Sequence, residues 1–266
     1  MKVIILCGGR GIRLAGESSY IPKAMVKIGH RPIVWHVMKR FASYGITDFV
    51  LALGYKGELI RDYFMKYDYY VNDISLSLDS EKPITRLTSH LETDWNVTLV
   101  DTGDNSLTGA RIARCKQYVE KHDEEFMVSY ADCLADVNVE KILKFHKKSK
   151  KLATIIGVKP PYREGELQVK KKIATSLYFS RKTKARTVDR YINGGYMVFN
   201  KKIFSYLTPF NECKLESDVF QKLIDQRQLV VFPHLGFWRW LDTDRDFDYL
   251  NGLVEKNQLY WLQSNS

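Results

Sequence analysis

A stretch near the amino terminus carries groups suited to phosphate chemistry. Leu6-Cys7-Gly8-Gly9-Arg10-Gly11-Ile12-Arg13-Leu14 is rich in glycine and arginine, and Pro22-Lys23 follows shortly after. Glycines let backbone amides approach phosphate oxygens, while Arg13 and Lys23 supply positive charge. The stretch is not a Walker A loop, because G-x-x-x-x-G-K-[ST] is absent, and Leu14 stands where G-x-G-x-x-G needs its last glycine. The plainer alternative is a turn after a strand with a stray basic residue, which Arg13 and the Pro22-Lys23 step make less economical.

The elements that must position these groups can be read from hydrophobic periodicity. Lys2–Cys7 is a short apolar run ending in Gly8-Gly9, as a buried strand meeting a tight loop would be. Ile33, Val34, Val37, Met38 and Phe41 recur at helical spacing after Pro32, and Gly45 suits the helix end. Strands are expected at Phe49–Leu53, Val97–Val100, Phe126–Tyr130 and Ala153–Val158, and helices at Gly57–Phe64, Ala110–Glu120 and Val139–Lys148. Such alternation implies an α/β, Rossmann-like, mostly parallel sheet with helices on both faces. Ligands on these sheets bind at the carboxyl ends of strands, where the loops after Cys7, Val100 and Tyr130 depart. After Lys159-Pro160-Pro161 the texture changes. Leu167–Val169 and Thr175–Phe179 read as antiparallel strands around Lys170-Lys171-Lys172. Tyr196–Phe199 and Leu229–Phe232 read as further strands, and Asp218–Ile224 and Phe247–Val254 as helices, giving a smaller antiparallel part on the same sheet. Tyr69–Trp95 follows no clear period.

The 266 residues carry 41 basic and 31 acidic side chains, a net charge of +10. Lys141–Arg190 alone holds 16 basic and 3 acidic residues, and the remainder 25 and 28, so one segment supplies the whole positive balance. It fits either a solvated helix end with lysine-rich turns or attraction to phosphorylated substrates or a polyanionic surface. No helix-turn-helix, RNP or zinc-finger pattern accompanies it, so no nucleic acid partner is expected. No apolar run approaches the ~18 residues of a membrane span, so no membrane insertion is expected. The apolar start is too short for a signal peptide. Cys7, Cys115, Cys133 and Cys213 have neither C-x-x-C nor zinc spacing. Reduced thiols in the cytoplasm are the simplest expectation.

The glycine-rich stretch with Pro22-Lys23 resembles the signature of sugar-phosphate nucleotidyltransferases. Further segments resemble one branch, the glucose-1-phosphate cytidylyltransferases. These are Trp35-His36-Val37-Met38, Gly54-Tyr55-Lys56-Gly57, Trp95 through Asp104, Ile192-Asn193-Gly194-Gly195, Gly236-Phe237-Trp238 and Leu241-Asp242-Thr243. The resemblance spans nearly the whole chain in order. It implies one domain over 1–266, with a nucleotide-binding core at 1–158 and a substrate-binding and C-terminal part at 159–266. It also implies CTP and a sugar-1-phosphate (glucose-1-phosphate in this branch) as substrates, CDP-sugar and pyrophosphate as products, Mg²⁺ as cofactor and a homo-oligomer. Arg13, Lys23 and Asp132 are the implied catalytic residues. Leu6, Cys7, Gly8, Gly9, Gly11, Ile12, Arg13, Lys23, Thr108, Gly109 and Ala131 are implied for the nucleotide. Tyr130, Gly165, Glu166, Lys182, Asn193, Gly194 and Glu216 are implied for the sugar phosphate, and Asp132 and Asp242 for the metal. From the residues alone, each aspartate also fits a helix cap or turn, and Asn193 a turn before two glycines.

The sequence departs from the family pattern in three places. Ile12 stands where threonine is usual, Ala131 and Cys133 replace glycines around Asp132, and a glutamate expected near Arg181-Lys182-Thr183 is missing. The departures leave open a different phosphorylated acceptor, or a relative that binds nucleotide sugars without turnover.

Overall fold

The computed structural model describes residues 1–9, 21–76, 85–88, 90–119, 123–159, 166–178 and 190–263. In chain order the first half contains β1 (Lys2–Leu6), a 3₁₀ turn at Lys23–Met25, α1 (Ile33–Ala42), β2 (Asp48–Leu53), α2 (Gly57–Met65), β3 (Asn96–Asp101), α3 (Thr108–Arg114), β4 (Glu125–Tyr130), β5 (Cys133–Ala135), α4 (Val139–Ser149) and β6 (Ala153–Val158). The second half contains β7 (Glu166–Lys170), β8 (Ile173–Tyr178), β9 (Arg190–Asn200), α5 (Gln221–Asp225), β10 (Leu229–Pro233), β11 (Trp238–Trp240) and α6 (Asp244–Glu255).

Nine strands form one sheet in the order β6-β10-β8-β7-β9-β4-β1-β2-β3. The group β4, β1, β2 and β3 is parallel throughout. Strand β9 joins antiparallel to β4 and opens the smaller antiparallel part. It also pairs with β6 and β7, and β8 touches β10 at Ile173 and Val230, so β9, β6, β10, β8 and β7 close into a ring. That closure was not foreseeable from strand patterns, because it depends on a single long-range pairing.

The continuous apolar runs are explained by burial on both faces. Val3 and Ile5 join one core, with residues of α1, α4 and α6, while Ile4 and Leu6 join the other, with residues of α3 and α5. Alternate residues of a strand point to opposite faces, so a doubly covered strand needs no polar positions. Each fully buried aliphatic side chain of this kind contributes roughly 1.5–3 kcal/mol. Gly45 ends α1 with φ +72, a conformation glycine adopts without a Cβ clash.

Several expected boundaries shift, and among the strands β8 starts at Ile173 rather than Thr175 and β9 at Arg190 rather than Tyr196. Helix α3 starts at Thr108 rather than Ala110 and is interrupted at Cys115. The helix expected from Asp218 begins as a π-helical segment, Leu215–Phe220, ahead of α5. Helix α6 starts at Asp244, where the Thr243 hydroxyl and the Asp246 carboxylate form a reciprocal capping box. Tyr69–Trp95 contains the end of a short helix, Tyr67–Val71, and two two-residue strands, Ile74–Ser75 and Thr85–Arg86, too brief to show a period. All four cysteines are buried and free. No helix among the described residues is long and apolar enough to cross a membrane.

Candidate active site

Strands β1, β2, β3 and β4 all end at one edge of the sheet, and a cavity of about 490 Å³ opens there. Leu6, Cys7, Gly8, Gly9, Lys23, Thr108, Tyr130, Ala131 and Asp132 line it, which gathers most of the nucleotide set proposed from sequence. Gly11, Ile12, Arg13, Gly165 and Lys182 lie outside the described residues, as does the segment of the missing glutamate. Glu166 opens β7, and its side chain lies outside the described residues. A larger cleft, about 760 Å³, lies beside Phe64, Tyr67, His90 and Trp95, and none of the proposed site residues lines it. The chemistry therefore belongs to the smaller cavity.

The floor is set by a two-stranded ribbon. Strand β5 pairs antiparallel with β11, matching Cys133 with Trp240, and Leu241 N donates to Asp132 O (2.9 Å). The ribbon carries Asp132 and Asp242, 110 positions apart in the sequence, to the same point. Lys23 Nζ lies 2.7 Å from Asp132 Oδ2 and 2.5 Å from Asp242 Oδ1. Burial alone would lower the Lys23 pKa, but the two carboxylates outweigh it and hold the ammonium above its usual value. Asp242 is not the cap of α6, a role taken by Thr243, and although it does not itself line the cavity its carboxylate reaches the cavity through Lys23. Two carboxylates converging on one cation are the kind of oxygen donor set that Mg²⁺ takes, with phosphate and water completing the shell. No group of three or more His, Cys, Asp or Glu placed to hold a metal ion occurs among the described residues. The pair thus fits an ion held jointly with a phosphorylated substrate.

The principal residue that sequence reasoning missed is Arg111. It is buried on α3 and also lines the cavity. Its guanidinium donates to Leu53 O (2.9 Å), Gly103 O (2.9 Å), Thr102 Oγ1 (2.7 Å), Asp104 O (3.3 Å) and Gly8 O (3.4 Å). It therefore ties together the ends of β1, β2 and β3. Burial pulls its pKa below the usual arginine value. A Cβ on Gly8 would lie 2.0 Å from Arg111 Cζ, and one on Gly54 2.3 Å from its Nη1. These two glycines make room for the Arg111 side chain, and Gly8 also lines the cavity. The available signal was a cation three residues after Thr108 and four before Cys115, on the apolar face of α3.

Thr108, Tyr130 and Glu216 converge. Thr108 Oγ1 donates to Glu216 Oε2 (3.0 Å) and accepts from Leu215 N (3.0 Å), and the Tyr130 hydroxyl donates to Glu216 Oε1. Burial raises the Glu216 pKa against the hydrogen bond from Thr108. Three other proposed residues have partners within the fold. Gly109 packs on Cys213, whose carbonyl oxygen would be 3.0 Å from a Cβ, and it does not line the cavity. Asn193 Oδ1 accepts from Gly195 N (3.0 Å), the turn role that its position before two glycines allowed. The Gly194 carbonyl accepts from Trp238 Nε1 (3.0 Å) and Cys133 Sγ (3.2 Å). Cys133 therefore directs its bulk into the core, whereas Ala131 does line the cavity.

A glycine-lined cavity at strand ends, a lysine and two carboxylates describe a nucleotidyl transfer site in outline. The nucleotidyl transferase family profile matches residues 2–255, and the chain belongs to that family. It is 40% identical over 262 residues to the glucose-1-phosphate cytidylyltransferase of Salmonella typhimurium, covering 98% of each chain. It is 36% identical over 261 residues to a probable glucose-1-phosphate cytidylyltransferase of Bacillus subtilis, covering 98% of this chain and 99% of the relative. The fold also matches a putative glucose-1-phosphate thymidylyltransferase from Bacillus anthracis with a TM-score of 0.70. There the identity is 18%, over 96% of this chain and 95% of the other.

Proposed function

We propose that the chain joins CTP and a sugar-1-phosphate, glucose-1-phosphate in the first instance, to give a CDP-sugar and pyrophosphate. The observation that carries this reading is Lys23 held between Asp132 and Asp242 on the floor of the glycine-lined cavity. Identity to cytidylyltransferases along 98% of the chain supports the choice of base and acceptor.

In the reaction an oxygen of the sugar phosphate attacks the α-phosphorus of CTP. A new P–O bond forms as the bond to the β-phosphate breaks, and pyrophosphate leaves with the electron pair. No protein nucleophile is required, so positioning and charge neutralisation dominate. Mg²⁺, held by Asp132 and Asp242, would supply Lewis-acid stabilisation of the phosphate charge. Lys23 brings a permanent positive charge to the same floor, kept protonated by its two neighbours. The amides after β1 face the triphosphate, with Arg13 expected to neutralise the pyrophosphate. Arg111 fixes the loop ends that shape the cavity, and Thr108 presents the edge that reads the base. Tyr130 and Glu216 offer a hydroxyl and a carboxylate suited to a sugar's hydroxyl groups. The same kinship supports a cytoplasmic homo-oligomer that supplies an activated sugar for surface polysaccharide.

The test is pyrophosphate release with each nucleoside triphosphate against a panel of sugar-1-phosphates, with and without Mg²⁺. CTP with glucose-1-phosphate should be preferred, chelation should stop turnover, and Asp132→Asn should cut it by about 10²–10³-fold. Full turnover by Asp132→Asn, or preference for another pair, would overturn the assignment. The second outcome would identify the different acceptor that the missing glutamate and Ile12 leave open.

A further inference from the structure

Part of the positive charge of the sequence has a definite place in the fold. Strands β6 and β10 run parallel to β4, so their first residues, Ala153 and Leu229, lie at the end of the sheet opposite Tyr130 and Asp132. At that end Ala153 N donates to Gln228 O (3.1 Å) and Val231 N to Lys172 O (3.1 Å). Three surface turns therefore meet: the end of α4 at Lys150, the β7–β8 turn at Lys171-Lys172, and the α5–β10 turn at Arg227. All four side chains are exposed. None has a carboxylate partner among the described residues. Two acids close to these turns are engaged elsewhere, Glu124 with Lys201 and Asp225 with Gln221.

All four residues are also left-handed, with φ of 53° at Lys150, 51° at Lys171, 65° at Lys172 and 55° at Arg227. Lys56 and Asn257 are the only other described non-glycine residues with positive φ, so the conformation is concentrated at this end. A left-handed backbone crowds Cβ against a carbonyl, and glycine or asparagine bears it most easily. The chain uses those residues after α1, at Gly45, and after α6, at Asn257. The β7–β8 turn has two residues with positive φ, the geometry that strongly favours Asn-Gly, yet Lys-Lys occupies it. A helix dipole favours cations after α4 and α5, but the hairpin turn follows no helix. What the sequence keeps there, against local preference, is charge on exposed turns.

We propose that this cationic end, Lys150, Lys171, Lys172 and Arg227, docks the protein on an anionic lipid surface. A nucleic acid fits less well. None of the exposed large hydrophobic side chains among the described residues falls in these three turns, so the turns offer nothing to stack on bases. Phe145 is covered by the Lys172 ammonium, 5.7 Å from the ring centre. Helix α4 buries Ile142 and His146 and lies along the sheet, so it does not project to enter a groove. Clustered cations without an apolar anchor suit a surface of spread negative charge, such as acidic phospholipid headgroups. Outside Lys141–Arg190 the chain has 25 basic and 28 acidic residues, so the same surface weakly repels the remainder. The two effects together orient the molecule with this end on the membrane and the cavity facing away.

The experiment is co-sedimentation with phosphatidylcholine vesicles, with and without 30% phosphatidylglycerol, at low and high salt. The wild type should pellet with the anionic vesicles at low salt, stay soluble with neutral ones, and release at high salt. The variant Lys171→Asn/Lys172→Gly supplies the preferred turn while removing two charges. It should melt at a higher temperature yet bind anionic vesicles at least tenfold more weakly, with nucleotidyl transfer unchanged. Equal vesicle binding by variant and wild type, no binding at low salt, or tighter retention by duplex DNA than by vesicles at equal salt would each overturn the proposal.

Discussion

The two ends of the sheet carry the same kind of residue under opposite physical conditions. At the carboxyl end Lys23 is mostly buried and grips two carboxylates, and Arg111 is buried and satisfied by carbonyls from three loops. At the opposite end Lys171, Lys172 and Arg227 are exposed and without carboxylate partners among the described residues. A buried cation must be matched partner for partner, because desolvation penalises any lone charge. It is therefore specific, short-ranged and little affected by salt. Exposed cations interact weakly, additively and through a screened field. The first arrangement suits in-line transfer between two phosphates, and the second suits attraction to an extended anionic surface.

Removing Lys23 breaks the first arrangement most severely. Lys23→Ala should lower turnover by about 10³-fold and, without Mg²⁺, reduce stability by about 1–3 kcal/mol, discounted for the partial exposure of Asp242. Added Mg²⁺ should recover much of the stability but little of the turnover, as thermal melts and initial rates would register. Next comes Gly8→Ala, whose Cβ would collide with the Arg111 guanidinium. We expect turnover to fall by about 10–100-fold through a displaced loop, with Gly9→Ala milder because nothing lies within 4 Å of its Cβ position.

The rule for buried charge extends to a group the fold keeps neutral. His36 is buried, accepts from Trp261 Nε1 at Nδ1 (3.1 Å), and donates through Nε2 to Ile28 O (2.9 Å). Burial lowers its pKa to about 4. The native state therefore binds a proton less readily than the unfolded chain, and stability intact above pH 6.5 is lost as pH falls towards 4. Denaturant titrations at pH 7.5 and 5 should differ by about 2 kcal/mol from this residue alone, a difference that His36→Gln should abolish. The smallest effect belongs to the exposed end. Lys171→Asn/Lys172→Gly should raise stability by about 0.5–1 kcal/mol through its relaxed turn, whereas a loss would show that the lysines also hold the ring closed.

Much of the parallel half was legible because its strands alternate between two buried cores and its helices show clear periodicity. Asp132 and Lys23 were legible because each adjoins a strong local pattern. Asn193 and Gly109 were legible as positions but not in their contacts. The hydrogen bond from Gly195 N and the contact with Cys213 join residues whose pairing cannot be inferred from spacing. Arg111 was missed because an isolated arginine on a helix carries no pattern, and its five acceptors come from three separate loops. The π-helical start before α5 was missed for a similar reason, since the Thr108 and Tyr130 contacts to Glu216 form across elements.

The sequence by itself determined the strand and helix alternation, the glycine-rich loop and the segment that holds the surplus charge, because these are set by local composition and period. Only the tertiary structure decided that Asp132 and Asp242 meet at Lys23, that two glycines yield space to Arg111, and that three cationic turns converge at the far end of the sheet. Those outcomes depend on distances between residues remote in the chain, which the closure of the sheet fixes and no local preference encodes.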